Sequence, residues 1–118
     1  FLMGSPDFVT AVEVGANILV LVLNDSRYGM ITALQRGEFG RTYGDEIGWI
    51  DFASYAESFG APGVRITRPE EIANAVSRAL SLSERSPVIL DAACSHAYSW
   101  PDRDAITALG EQSGEKHA

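Results

Sequence analysis

Ile18-Leu19-Val20-Leu21-Val22-Leu23 runs directly into Asn24-Asp25-Ser26-Arg27-Tyr28-Gly29-Met30, and the reading of this stretch decides the fold. An apolar run without polar alternation marks a strand buried on both faces, as parallel strands between two helix layers are. Asn24 and Asp25 place side-chain oxygens at the carboxyl end of that strand, where open α/β sheets bind their ligands. Hard cations such as Mg2+ take oxygens of this kind, a few from protein and the rest from phosphate and water. Asn-Asp-Ser is also ordinary turn chemistry between a strand and a helix. The local pattern leaves both readings open.

The flanking residues place this strand among helices. Upstream, Ser5-Pro6-Asp7 is a helix start, with a hydroxyl for the N-cap, proline in the first turn and a carboxylate at the positive helix end. Phe8, Val9 and Val12 share a face, and Gly15 ends the helix. Downstream, a second helix is expected from Tyr28 to about Arg36, with Met30, Ile31 and Leu34 available to pack. Residues 37–50 contain four glycines and mixed charge, and read as a loop. Asp51 caps a short helix whose Phe52, Tyr55, Ala56 and Phe59 share a face, with Gly60 as its stop. Val64–Thr67 is a short strand, Arg68-Pro69-Glu70-Glu71 opens another helix, and Pro87–Ala92 is the next strand. Helix and strand alternate, so the fold class is α/β: a three-layer α/β/α arrangement around a mostly parallel sheet.

Composition narrows the functional classes. Sixteen acidic and nine basic side chains give a net charge of −7. No block of Lys or Arg is present, so a nucleic-acid footprint is not expected. The longest apolar run, Ile18–Leu23, is far too short to span a bilayer, and the amino end has no signal-peptide pattern. The single cysteine, Cys94, reads as a small residue closing a buried strand and fits a reducing, cytoplasmic setting. His96 and His117 read as surface residues, Trp49, Tyr98 and Trp100 as packing residues, and Asp45-Glu46 as a solvated loop pair.

Several segments, taken in register, resemble one family. Phe1-Leu2-Met3, Phe8-Val9-Thr10-Ala11-Val12 and Asn24-Asp25-Ser26-Arg27-Tyr28-Gly29-Met30 match its order and spacing. So do Phe39-Gly40-Arg41-Thr42, Tyr55-Ala56-Glu57-Ser58-Phe59-Gly60-Ala61, Arg68-Pro69-Glu70-Glu71 and Pro87-Val88-Ile89-Leu90-Asp91. The family is the C-terminal, diphosphate-binding domain of thiamine-diphosphate enzymes, in the acetolactate synthase group. Its members carry Gly-Asp-Gly, a spacer, then Asn-Asn or Asn-Asp. The likeness covers residues 1–101, and 102–118 would form a C-terminal tail.

What the resemblance implies can be carried over by position. Asp25 would bind Mg2+ through its side chain, and Arg27 through its main-chain carbonyl. Asn24 would order the turn, with its amide within reach of a phosphate. Tyr28 and Gly29 would open a helix whose amide donors face the diphosphate. Met30 corresponds to the apolar residue that supports the bent cofactor, although a core gap-filler is its alternative reading. Ile31 stands where simple 2-oxo acid decarboxylases carry a proton-donating glutamate. Leu34 stands where biosynthetic acetohydroxyacid synthases carry tryptophan, which points to the catabolic acetolactate-synthase type or an uncharacterised cousin.

Two family elements are not in the sequence. Gly-Asp-Gly would stand just before Phe1, so the chain is expected to be a fragment whose fold is incomplete at its N-terminus. The glutamate of a separate pyrimidine-binding domain, usually on a partner subunit, is absent as well. The implied activity is decarboxylation of a 2-oxo acid such as pyruvate and transfer of the acyl carbanion equivalent to a second carbonyl compound. The intact enzyme would be a homo-oligomer, dimer or tetramer. The chain holds no catalytic residue of its own and is expected to be inactive alone. A 2-oxo acid decarboxylase and a non-catalytic scaffold are the alternatives.

Overall fold

The computed structural model describes residues 1–95. His96, Tyr98, Trp100, His117 and the expected tail 102–118 lie outside the described residues.

Three parallel strands form the sheet: β1 (Leu19–Asn24), β2 (Gly63–Ile66) and β3 (Val88–Ala93), in the order β1-β3-β2. The central β3 is almost wholly apolar, and Val88, Ile89, Leu90 and Asp91 are all buried. Successive side chains point to opposite faces, so β1 and β3 feed two cores, while β2 gives Val64 and Ile66 to one of them. Val22 and Ile89 pack with Phe8 of α1 (Pro6–Glu13) and with Phe52 and Ala56 of α3 (Phe52–Glu57). On the other face Val64, Ile66, Val88 and Leu90 pack against Ala75 and Ala79 of α4 (Ile72–Ser83). Helices therefore cover both faces of a parallel sheet, giving the expected α/β/α layers.

Local rules explain most element ends. Asp51 caps α3, its Oδ1 accepting the Ser54 N–H at 2.9 Å. Arg68-Pro69-Glu70-Glu71 forms a capping box over a short 3-10 turn that leads into α4. Gly63 is required by packing: a methyl group there would overlap the backbone of Ala53 in α3. Gly40 ends α2 (Gly29–Phe39) in the left-handed conformation, at φ +65°. Helix α2 thus runs into the stretch expected to be loop.

Three expectations are corrected. Ser5 does not cap α1; a 3-10 turn over Leu2–Gly4 holds Ser5 in helical geometry, and its hydroxyl donates to the Leu2 carbonyl at 3.2 Å. β1 is not buried on both faces. Among the described residues it is a sheet edge, and α4 packs mainly on β2 and β3 and touches β1 little, leaving Leu21 and Leu23 55% and 68% exposed. Met30, Ile31 and Leu34 do not pack either; α2 stands away from the sheet, and Thr32 is its single buried residue.

Candidate functional site

The site is built where β1 ends. After Asn24 the chain makes two successive side-chain-to-backbone turns. Asn24 Oδ1 accepts the Ser26 N–H, and Asp25 Oδ1 accepts the Arg27 N–H, both at 3.2 Å. Ser26 takes a left-handed conformation, φ +58°, which is uncommon for a residue with a Cβ. Asn24 itself is locked. Its Nδ2 donates to the Ile50 carbonyl at 2.8 Å and to Asp91 Oδ1 at 3.0 Å, so both amide hydrogens are spent inside the chain.

A strap formed by residues 43–47 holds the other side of the turn. Ile47 N–H donates to the Ser26 carbonyl at 3.1 Å and Tyr28 N–H to the Asp45 carbonyl at 2.8 Å. These two bonds flank Arg27 and Glu46, which form an antiparallel bridge pair joined by an ion pair of 2.8 Å. In such a pair the central residues direct their own N–H and C=O away from the partner strand. The Arg27 N–H accordingly reaches Asp25 Oδ1, and in regular strand geometry the carbonyl of the same residue turns to that side.

Asp25 and the start of α2 are neighbours. A Cβ built on Gly29 would stand 3.5 Å from Asp25 Oδ2, so one carboxylate oxygen lies against the first residue of the helix. The first-turn amides of a helix have no intrahelical acceptors and favour an anion nearby. Asp25 is half-buried, while Tyr28 and Met30 are 49% and 62% exposed, so the surface here is open.

The residue Asp45, read from the sequence as solvated, is buried. Its Oδ2 accepts the Thr32 hydroxyl at 2.6 Å, and that bond holds its carboxyl below the usual range against the opposing effect of burial. Its neighbour Glu46 is exposed and pairs with Arg27. Gln35 clamps both backbone polar groups of Tyr43, closing the strap on α2. Trp49 is half exposed and packs against the Arg65 guanidinium, which lies 4.3 Å from its ring centre. Cys94 is exposed rather than buried, because β3 ends at Ala93. Asp91, which sequence reasoning passed over, is fully buried; Oδ1 takes Asn24, and Oδ2 accepts the Phe52 N–H at 3.1 Å. A lone carboxylate in an otherwise apolar strand was the available signal.

A divalent cation with its phosphate ligand fits this donor set as a partial site. Asp25 offers a hard carboxylate at a helix N-terminus, with a backbone carbonyl on the same side. Among the described residues no cluster of three His, Cys, Asp or Glu side chains could hold a metal alone. Mg2+ characteristically needs only one or two carboxylates when phosphate and water supply the rest.

An oxygen-bearing turn at the carboxyl end of a parallel strand, feeding a helix N-terminus, defines a ligand-binding α/β domain. Residues 1–92 match the family of the thiamine pyrophosphate enzyme, C-terminal TPP binding domain, and the chain belongs to that family. It is similar to an acetolactate synthase of Bacillus subtilis (strain 168), 37% identical over 91 residues, covering 77% of this chain and 16% of the relative. It is also similar to a catabolic acetolactate synthase of Raoultella terrigena, 38% identical over 72 residues, covering 61% of this chain and 13% of that one. The chain thus spans between about an eighth and a sixth of the length of these curated relatives. Among solved structures it shares its fold with a thiamine diphosphate-dependent 4-hydroxybenzoylformate decarboxylase of Rhodococcus jostii RHA1. The TM-score is 0.67 and the identity 22%, over 78% of this chain and 17% of that chain.

Proposed function

We propose that this chain supplies the diphosphate-binding half of the active site of an acetolactate-synthase-like enzyme dependent on thiamine diphosphate and Mg2+. The intact enzyme decarboxylates a 2-oxo acid such as pyruvate and transfers the acyl unit to a second carbonyl compound. The observation that carries this reading is the position of Asp25, its carboxylate lying against the start of α2 with the Arg27 main chain on the same side. When bound, the cofactor supplies the electron sink for decarboxylation.

The roles of this chain are binding and orientation. The Asp25 carboxylate and the Arg27 carbonyl hold the cation, the α2 amides face the diphosphate, and Asn24 fixes the turn from beneath. Tyr28, Gly29 and Met30 line the cofactor side, and the exposed side chain of Met30 is free to be covered by it. Ile31 offers no proton donor, which favours carboligation over simple aldehyde release. The remaining parts are a second metal carboxylate, a pyrimidine-binding domain with its glutamate, and a partner subunit. An exposed free thiol at Cys94 is consistent with a reducing, cytoplasmic setting. No helix among the described residues is long and apolar enough to cross a membrane.

The test has two arms. The chain alone, given pyruvate, Mg2+ and thiamine diphosphate, should form no acetolactate; any formation overturns the proposal that it supplies only the diphosphate-binding half of the site. Residues 1–92 transplanted into the matching segment of the Bacillus subtilis acetolactate synthase should support acetolactate formation that Asp25→Ala abolishes. A folded chimera whose activity ignores Asp25→Ala overturns the site.

A further inference from the structure

Asn24 and Asp91 meet across the sheet although they lie 67 residues apart in the chain. Each side chain is engaged at every polar atom. Asp91, 0% exposed, accepts one hydrogen bond from Asn24 Nδ2 and one from the Phe52 backbone, so its two oxygens bind two separate segments. Asn24, 5% exposed, uses both amide hydrogens on Asp91 and the Ile50 carbonyl, and its oxygen on Ser26 N–H. The Asn24 carbonyl also accepts the Cys94 N–H at 2.9 Å, tying the end of β1 to the chain beyond β3. A planar amide held at three points has no rotational freedom left. Its oxygen therefore reaches Ser26 in one direction only, and Ser26 is the residue in the left-handed conformation immediately after Asp25.

We infer that Asp91 is a positioning residue for the cation-binding turn. It orients the Asn24 amide, Asn24 holds Ser26 in the left-handed conformation, and that conformation sets Asp25 against the start of α2. The inference rests on the proposed function for what the turn binds, but the coupling itself belongs to the unliganded chain. A buried carboxyl could merely stabilise the fold; a positioning group must also fix the geometry of residues 25–27, which it does not touch. Asp91→Asn separates the two roles, because the amide keeps the shape of the carboxyl and loses one acceptor.

Nuclear magnetic resonance of the isotope-labelled 118-residue chain tests this directly. In Asp91→Asn one acceptor oxygen becomes a donor, so either Asn24 or Phe52 N–H faces another donor. Exchange of the Ser26 amide should quicken about tenfold, the scale of one ordinary hydrogen bond, with Ser26 and Arg27 signals displaced while Val64 and Ile66 stay in place. Asn24→Ala removes the same contact from the other side and should displace the same Ser26 and Arg27 signals, and adding Asp91→Asn to it should displace them no further. Asp91→Ser, smaller and still able to accept, takes the place of Asp91→Asn if that variant does not fold. Ser26 and Arg27 signals unchanged in a folded Asp91 variant, or displaced further when Asp91→Asn is added to Asn24→Ala, overturn the inference. Adding Mn2+ with thiamine diphosphate separates the two readings. Signals of the turn that shift in Asp91→Asn but do not respond to Mn2+ in the wild type overturn the cation site and leave the coupling standing.

Discussion

The Thr32 hydroxyl donates to Asp45 Oδ2 at 2.6 Å, and both residues are buried. This bond, with the Tyr28 N–H on the Asp45 carbonyl, fastens the first turn of α2 to the strap. It matters because, among the described residues, the Gln35 clamp on Tyr43 is the main other anchorage of α2. Thr32→Val keeps the shape of the side chain and removes the donor. The Asp45 carboxyl should then titrate higher than in wild type, and the α2 amides should exchange faster than those of α4. Carboxyl titration and hydrogen exchange by magnetic resonance check both; an unchanged Asp45 contradicts the anchor.

Acid should weaken the fold in a defined window. Glu71 is held at about 2, below its ordinary 4.5, first by the Thr67 N–H and then by the Arg68 side chain. Asp51 is lowered by the Ser54 N–H, and Asp45 by the Thr32 hydroxyl. Each group binds fewer protons folded than unfolded, so its stabilisation is complete above the ordinary carboxylate range. It is lost as pH falls from about 4.5 toward about 2. Because the Arg68–Glu71 pair is largely exposed, the Glu71 share should shrink in high salt. Denaturant midpoints against pH should show this fall, and Glu71→Gln should flatten part of it. A flat profile through that window contradicts the assignment.

How much was legible in the sequence depends on whether the cause is local. Asp51 as a cap, Pro69 in a first turn and the helix–strand alternation are set by neighbouring residues, and the structure repeats them. Asn24 and Asp25 stood out because two polar residues end an apolar run. The environment of β1 was not legible, since Ile18–Leu23 reads the same whether one helix layer or two cover it. Asp45 was hidden in a glycine-rich loop, and its burial depends on a hydroxyl thirteen residues away. Asp91 was visible as an anomaly in β3, but its partners lie on distant segments, so only the fold reveals its work.

The two faces of β1 should respond differently to truncation. Val22 is 7% exposed and packs with Phe8 and Phe52, so Val22→Ala should cost about 2 kcal/mol. Leu23, 68% exposed, should cost less than about 0.5 kcal/mol as Leu23→Ala. Chemical denaturation of the two variants decides. Equal losses would mean that the Leu21 and Leu23 face is covered in solution.

Gly63→Ala should be severe for a small change. The added methyl meets the Ala53 backbone, which cannot rotate away as a side chain would. The expected loss is about 3 kcal/mol or failure to fold. A thermal midpoint within a degree or two of wild type would contradict the close approach of α3 to β2.

The most direct test of Asp25 as a cation ligand is paramagnetic broadening of the amide signals by Mn2+ with thiamine diphosphate. The effect falls off so steeply with distance that even weak, partial-site binding leaves a local imprint. Broadening should centre on Asp25, Ser26, Arg27 and Gly29 and vanish in Asp25→Ala with the fold intact. Broadening that spares the turn, or that persists unchanged in Asp25→Ala, would contradict it.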